Sequence, residues 1–337
     1  MKVHTGSKVF LTGGGGFLGR SIAKALVERG YKVLSFSRKK YPFLDELGVE
    51  SYQGDISCLD QIIEAAAGCD CIIHTAALAG IWGKPKDYMD TNYHGTLNVL
   101  KAAKHLKIKR LIYTSSPSVA FEGRDINGLG DWAPYAKKFF CSYSYSKKLA
   151  EEAVLAANSK DLQTLALRPH LIWGPNDPHF LPRLLQRSRE GKLFRVGHLR
   201  NLVDVIYVEN AAIAHLDALK AMGVNPNLGG KAYFLGQEKP VKLWTFIDQL
   251  LVAGGEKPLK TKSIPFPLAF GVGFFFEFLY KAMGTFHRDP PMTRFLALQL
   301  SKSHYFSHDG AKRDFSYKVN ISTDEGLRRL KRSYSQV

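Results

Sequence analysis

Residues 8–40 read KVFLTGGGGFLGRSIAKALVERGYKVLSFSRKK, and their pattern decides the architecture. Val9, Phe10 and Leu11 form a short apolar run. A run of glycines follows, then Ile22, Ala25 and Leu26 recur at helical spacing before Tyr31 to Phe36 become strand-like again. Glycines at 13, 16 and 19 permit a tight turn, close backbone approach to a pyrophosphate, and close packing of helix on strand. The helix that starts with Phe17 and Leu18 then offers unpaired N–H groups and a positive dipole end to phosphate. A glycine-rich string alone is a weak signal; its place between a strand and a helix marks a dinucleotide-binding turn.

The second strand is expected to end near the adenosine ribose, where a carboxylate would accept from a 2′-hydroxyl and select NAD. This chain has Ser37, Arg38, Lys39 and Lys40 there. A guanidinium and ammonium groups bind a 2′-phosphate and gain nothing from a hydroxyl, so NADPH is the expected cofactor, with Arg38 and Lys39 at its phosphate. The alternative is a merely exposed basic turn.

Outward from this unit the alternation continues through VESYQGD, CIIHTAAL, a helix over about Asp87 to Lys104, the strand RLIYTSS, a helix beginning near Tyr143, and LQTLALRP. Apolar strands alternating with amphipathic helices imply an α/β doubly wound parallel sheet of the Rossmann type. After Pro169 the texture changes, yet YVENAAIAHLDAL and KAYFLG add a late helix and strand. The expected division is a cofactor domain over 1–170 plus about 201–236, and an interleaved, smaller substrate lobe over 171–200 and 237–337. The basic end, GLRRLKRSYSQV, is expected to be a solvated tail.

Composition bounds the function. With 337 residues, 45% hydrophobic and 23% charged, the chain is an ordinary globular protein with a sizeable core. Its 47 Lys and Arg against 30 Asp and Glu leave a net charge of +17, which points to an anionic partner. No nucleic-acid-binding motif is present, so nucleic acid is not the expected partner. Cys58, Cys69, Cys71 and Cys141 form no CxxC pair and have no zinc-ligand spacing, so free thiols and no metal site are expected. The start, MKVHTGSKVFLTGGGG, has no apolar run before a small-residue cleavage site, and a cytoplasmic protein is expected.

Residues 143–148 read YSYSKK, and helical geometry pairs Tyr143 with Lys147 or Tyr145 with Lys148. Spacing alone does not choose. TGGGGFLG, GDI at 54–56, HTAA at 74–77, Asn92 in NYHGTLNV, YTSSPSV at 113–119, YSYSK and LRP at 167–169 together resemble the extended short-chain dehydrogenase/reductase superfamily, in the expected order. The resemblance implies a YxxxK pair at Tyr143 and Lys147, a partner hydroxyl at Ser116 and a proton-relay position at Asn92. It also implies cofactor contacts at Asp55, Ile56, Ala76, Ala77 and Pro169, and a hold on the nicotinamide ribose by Lys147. Ketone reduction needs a hydride and a proton, and a tyrosine near pKa 10 gives up its proton more readily beside an ammonium. Ser115 is the competing hydroxyl; Ser116 is preferred because it sits three residues before Val119, as in the superfamily pattern. His74 and His170 are expected to be structural, with a place near the nicotinamide open for His170.

Pro117 and Ser118 stand where the superfamily's sugar dehydratases carry Asp and Glu, which argues against dehydration. The stretch IPFPLAFGVGFFFEFLYKAM, 264–283, would suit an acyl chain or a membrane surface, though a buried helix reads the same way. Its glutamate, prolines and glycines argue against a spanning helix. RPHLIWGPNDPHFLPRL, NLVDVIYVENAAIAHLDAL and PPMTRFLALQLSKSHYF are similar to the 3β-hydroxysteroid dehydrogenase branch, especially its 2-alkyl-3-oxoalkanoate reductases of bacterial long-chain olefin biosynthesis. That similarity implies NADPH-dependent reduction of a hydrophobic, anionic β-keto acid, with Arg183 or Arg195 as candidates for its carboxylate. It also implies a complex with thiolase-like and ligase-like enzymes; a homodimer is the alternative assembly expected, and the apolar composition of 264–283 points by itself to peripheral membrane contact. The alternatives are a sterol or steroid 3β-hydroxyl dehydrogenase, a sugar-nucleotide epimerase, whose retained NAD Arg38 opposes, and a non-catalytic NADPH-binding scaffold, which would not need Tyr143 or Lys147.

Overall fold

The computed structural model describes residues 6–335. Seven strands, β1 (Lys8–Thr12), β2 (Lys32–Ser37), β3 (Glu50–Gln53), β4 (Cys71–His74), β5 (Arg110–Thr114), β6 (Gln163–Pro169) and β7 (Lys231–Leu235), form one sheet in the order β3-β2-β1-β4-β5-β6-β7. Every neighbouring pair is parallel. This is the doubly wound sheet that the alternation predicts. The winding reverses between β1 and β4, and such a switch point opens a crevice at the carboxyl ends of the strands.

The pleat sorts the core into two layers. Of the helices α1 (Phe17–Glu28), α2 (Gly95–His105), α3 (Ser142–Ala156) and α4 (Val208–Met222), the first and last cover one face. There Ile22, Leu26, Leu216 and Leu219 meet Val9 and Leu11 of β1. On the other face Val99 of α2 and Val154 of α3 meet Phe10, Ile72 and Leu111. Alternate residues of β1 thus serve opposite layers, as parallel strands buried on both sides require. Truncating Leu11 or Phe10 to Ala should cost about 2–5 kcal/mol.

The helix expected over 87–104 comes in pieces: a short turn at Pro85–Tyr88, a widened π-type segment at Met89–His94, then α2. The widened turn lies beside the site and carries Asn92.

A second sheet joins Val241–Lys242, Leu202–Val203, His304–Phe306 and Ile126–Leu129. Ile126–Leu129 lies within the first 170 residues yet pairs with a strand near the end of the chain, so the hydrogen bonding does not follow a cut at 170. The long connection between β5 and α3 leaves the carboxyl edge of the sheet and reaches across to build it. Helices α5 (Phe266–Ala282), α6 (Arg294–Ser301) and α7 (Thr323–Ser335) belong to this lobe, with further helices at Phe180–Arg189 and Leu243–Ala253. The solvated tail expected at the end is instead α7: Leu330 is buried among Trp173, Leu250 and Leu251, and Arg329 bonds Glu325 and Glu209. Leu327 and Leu330, three apart among arginines and lysines, give the apolar stripe that the basic composition hides. Gln336 and Val337, like Met1 to Thr5 of the N-terminal reading, lie outside the described residues.

Candidate active site

The glycine turn is a cradle that side chains would fill. Gly13 sits at φ +76°, in the left-handed region, and a Cβ there would lie 2.8 Å from the Ala76 nitrogen. A Cβ on Gly19 would come within 2.1 Å of the Gly13 carbonyl oxygen, so α1 can rest on the turn only without one. Gly16 precedes Phe17 and Leu18 with no side-chain cap and no acidic residue in the first turn. Backbone donors at a bare helix start fit a pyrophosphate, so the residues present suit a dinucleotide.

The other expected cofactor contacts gather along the same carboxyl edge. Arg38 and Lys39 follow β2 as exposed side chains, and Gln53 donates to the Arg38 carbonyl. Asp55 and Ile56 follow β3; the Asp55 carboxylate accepts from the Ser57 amide, while Ile56 is buried under α2. Ala76 and Ala77 follow β4, and Pro169 ends β6. His74 is fully buried and serves as a strut. Thr96 donates to the Asn92 carbonyl at 2.6 Å, so it accepts from His74 Nε2–H at 2.9 Å, which leaves Nδ1 to accept from Thr12 at 2.7 Å. Burial pulls His74 down to about 3, so it stays neutral.

Helix α3 separates the two Tyr–Lys pairs. Tyr143 lines a cavity of about 250 Å³ together with Ser116, Ser118 and His170. Lys147 is buried beneath it, donates to the Thr114 carbonyl at 2.6 Å, and lies 4.1 Å from the centre of the Tyr113 ring. Tyr145 is 45% exposed, and Lys148 pairs with Glu152 at 2.7 Å on the surface. Ser116 faces the cavity, 2.9 Å from the Ser118 hydroxyl, whereas Ser115 is buried away from it.

The electrostatics differ from the expectation in one respect. Burial pushes Tyr143 up to about 12, opposed by the Ser116 hydroxyl; Lys147 does not depress it. The reason is that Lys147 is itself desolvated, which brings it down to about 7, and its ammonium is directed at Thr114. Glu151, one turn further along α3, pushes Lys147 back up. That carboxylate is buried, accepts from Tyr135 at 2.8 Å, and accepts twice from Arg168 Nε at 3.0 and 3.2 Å. The sequence reading missed Glu151, although its i+4 spacing from Lys147 was visible.

The Asn92 side chain is fully engaged within the protein. Its Oδ1 accepts from the Leu78 amide at 2.7 Å, and its two N–H groups go to the Leu78 carbonyl and to Ser146, at 3.1 and 3.0 Å. Ser146 in turn donates to the Tyr143 carbonyl. Asn92 therefore ties the 75–84 loop to α3 as a positioning residue. Arg183 and Arg195 are not in the cavity either: Arg183 pairs with Asp289 and Arg195 with Asp248. The cavity walls are Ile81, Phe121, Phe295 and Phe306, with Gln299 and His304 as further polar groups. Nothing in the spacing of residues 295–306 marks them as cavity walls, because the lobe that carries them meets the sheet only in the folded chain. His304 Nε2 donates to the Gln299 carbonyl, so its Nδ1 accepts from His170 Nε2–H at 2.7 Å, and burial keeps both rings neutral.

Residues 10–268 match the model of the 3-beta hydroxysteroid dehydrogenase/isomerase family. The chain belongs to that family. It is an NAD(P)-dependent oxidoreductase acting on CH–OH groups. It is 45% identical over 335 residues to a 2-alkyl-3-oxoalkanoate reductase of Shewanella oneidensis, covering 97% of this chain and 86% of that one. A protein of the same name from Stenotrophomonas maltophilia is 44% identical, over 97% of this chain and 99% of its own. A decarboxylating sterol-4-alpha-carboxylate 3-dehydrogenase of Mus musculus is 32% identical over 98% and 92% of the two chains. Among solved structures, MoeE5 in complex with UDP-glucose and NAD superposes with a TM-score of 0.74 at 19% identity, covering 98% of this chain and 99% of that one. At that distance the likeness is one of fold. The relatives named as reductases support a ketoreductase role.

Proposed function

We propose that this family member reduces the ketone of a long-chain 2-alkyl-3-oxoalkanoate to the 3-hydroxy acid with NADPH. One observation carries the reading: Tyr143 and Ser116 open into a single cavity whose walls are aromatic and aliphatic and whose lining holds no acidic residue. The bound cofactor supplies a hydride, held by the glycine turn with Arg38 and Lys39 at its 2′-phosphate. Ser116 donates a hydrogen bond to the substrate carbonyl oxygen and fixes it beside Tyr143. Burial keeps the Tyr143 phenol protonated near neutrality, as a group that must give a proton to the developing alkoxide requires. As the phenolate forms, Lys147, supported by Glu151, turns its ammonium from the Thr114 carbonyl toward it and limits the cost of forming it. No lysine or arginine lines the cavity, so the substrate carboxylate meets neutral polar groups, Ser118, Gln299 and His170. The cavity is too small for two long chains, which leave it along the apolar walls.

The identity to the Mus musculus sterol dehydrogenase supports a second reading, in which the same Tyr143–Ser116 set oxidises a 3β-hydroxyl. Mixing the protein with NADPH and, separately, a long-chain 2-alkyl-3-oxoalkanoate, a 3-ketosteroid and a UDP-sugar, and following cofactor absorbance and products, tests both. Turnover of the oxoalkanoate alone is expected. Turnover of the steroid alone would overturn the first reading.

A further inference from the structure

Helix α5 presents its apolar side to solvent. Ala269, Gly273 and Glu277, spaced four apart, are its buried stripe. On the opposite side Leu268 is 59% exposed, Phe274 57%, Phe275 59% and Phe278 67%. A helix at the surface of a globular protein normally turns polar residues outward. The inner contact is close because it is made of small residues: a Cβ on Gly273 would lie 2.6 Å from the Thr293 backbone at the start of α6. The helix is thus seated firmly, and its phenylalanines are left outside by construction.

Charge identifies the occupant of that face. Between 257 and 288 the chain carries Lys257, Lys260, Lys262, Lys281 and Arg288, all exposed. The sole acidic residue in that span, Glu277, is buried and bonded to Arg294 at 2.7 Å. An exposed phenylalanine face flanked along the chain by exposed lysines and an arginine, with the adjoining carboxylates of Glu256 and Asp289 already engaged by Arg189 and Arg183, complements a surface with an apolar interior and anionic headgroups. No helix among the described residues is long and apolar enough to cross a membrane, which leaves α5 lying on such a surface rather than through it.

The helix also adjoins the active-site cavity on two sides. Its inward Phe266 and Phe270 pack against the cluster that holds the cavity walls Phe121, Phe295 and Phe306. Just beyond its C-terminal end, the Thr285 carbonyl accepts from Trp82 Nε1 at 3.0 Å, and Trp82 stacks on Phe286. Trp82 belongs to the loop whose Ala79, Gly80 and Ile81 line the cavity.

We propose that the outward face of α5 docks the enzyme on an anionic phospholipid bilayer, with the cavity held next to the lipid. Docking is independent of which ketone is reduced. The test is co-sedimentation of the full chain with vesicles of phosphatidylcholine alone and of phosphatidylcholine mixed with phosphatidylglycerol. At least tenfold more protein is expected on the anionic vesicles, with binding weakened by salt. Combining Phe274→Ser, Phe275→Ser and Phe278→Ser should lower binding at least tenfold with an unchanged melting curve. Lys262→Glu with Lys281→Glu should abolish the preference for phosphatidylglycerol. The proposal is overturned if the wild type binds neither vesicle, or if the triple variant binds as well as the wild type. It is also overturned if the wild type is a dimer that the triple variant dissociates while no vesicle is bound, since a second copy of the chain then covers the face.

Discussion

Helices α3 and α5 break the same packing rule in opposite directions. Helix α3 buries polar side chains, Ser144, Ser146, Lys147 and Glu151, while α5 exposes phenylalanines. A buried charge is tolerated only when it is paired and hydrogen-bonded, and each one on α3 has its partner: Thr114 for Lys147, Arg168 and Tyr135 for Glu151. On α5, Phe274 meets the Arg294 guanidinium and Phe275 packs edge-on against Phe276, yet both rings and Phe278 stay more than half exposed. The difference separates two kinds of departure from ordinary packing: one is satisfied internally and holds reacting groups in place, the other awaits a partner outside.

The largest blow to this contrast comes from its centre. Tyr143→Phe should lower kcat by roughly 10²- to 10⁴-fold while cofactor binding, followed by fluorescence, is kept. Tyr145→Phe, on the exposed side of the same helix, should stay within about twofold of the wild type. If Tyr145→Phe is the inactive variant, the buried side of α3 is not where the proton is given.

Next comes the charge behind Lys147. Its pKa is depressed to about 7, so its proton is present below that pH and is lost as pH rises through it; the reductive rate should fall on the alkaline side. Removing the supporting carboxylate by Glu151→Gln should move that limb to lower pH, by about one unit for each 1.36 kcal/mol of lost support. The same change unpairs buried Arg168 and should cost about 3–5 kcal/mol of stability, read from thermal melts. A pH profile that does not move would show that Glu151 serves Arg168 alone.

Smaller effects lie outside both helices. Arg38→Ala should raise the KM for NADPH by about 10-fold or more and leave that for NADH nearly unchanged, since one charge-assisted contact contributes about 1.5–3 kcal/mol. Equal changes for the two cofactors would remove Arg38 from the phosphate. Smallest of all, Phe278→Ser should change turnover of a short, water-soluble ketone by less than about twofold. A loss comparable to that of Glu151→Gln would make α5 part of the chemistry and erase the contrast with α3.

The doubly wound sheet was legible in the chain because strand and helix periods differ, and a parallel sheet buried on both faces leaves near-continuous apolar runs such as Val9–Leu11 and Cys71–Ile73. The glycine turn was legible because a left-handed φ and a 2.1 Å approach each demand a missing side chain. Tyr143 with Lys147 was readable as one of two pairs, and the resemblance preferred it. Which pair is buried was settled only by how α3 rolls against β5 and β6, something no spacing within one helix encodes. Tertiary contact also decided that Asn92 staples Leu78 to α3, that Arg183 and Arg195 spend their charge on Asp289 and Asp248, and that residues 295–306 close the cavity. The stretch 264–283 shows the limit most sharply. Its composition is the same whether its phenylalanines face a core or a solvent, and only the small-residue stripe seated on α6 turned them outward, because one side of a helix must follow wherever the other side packs.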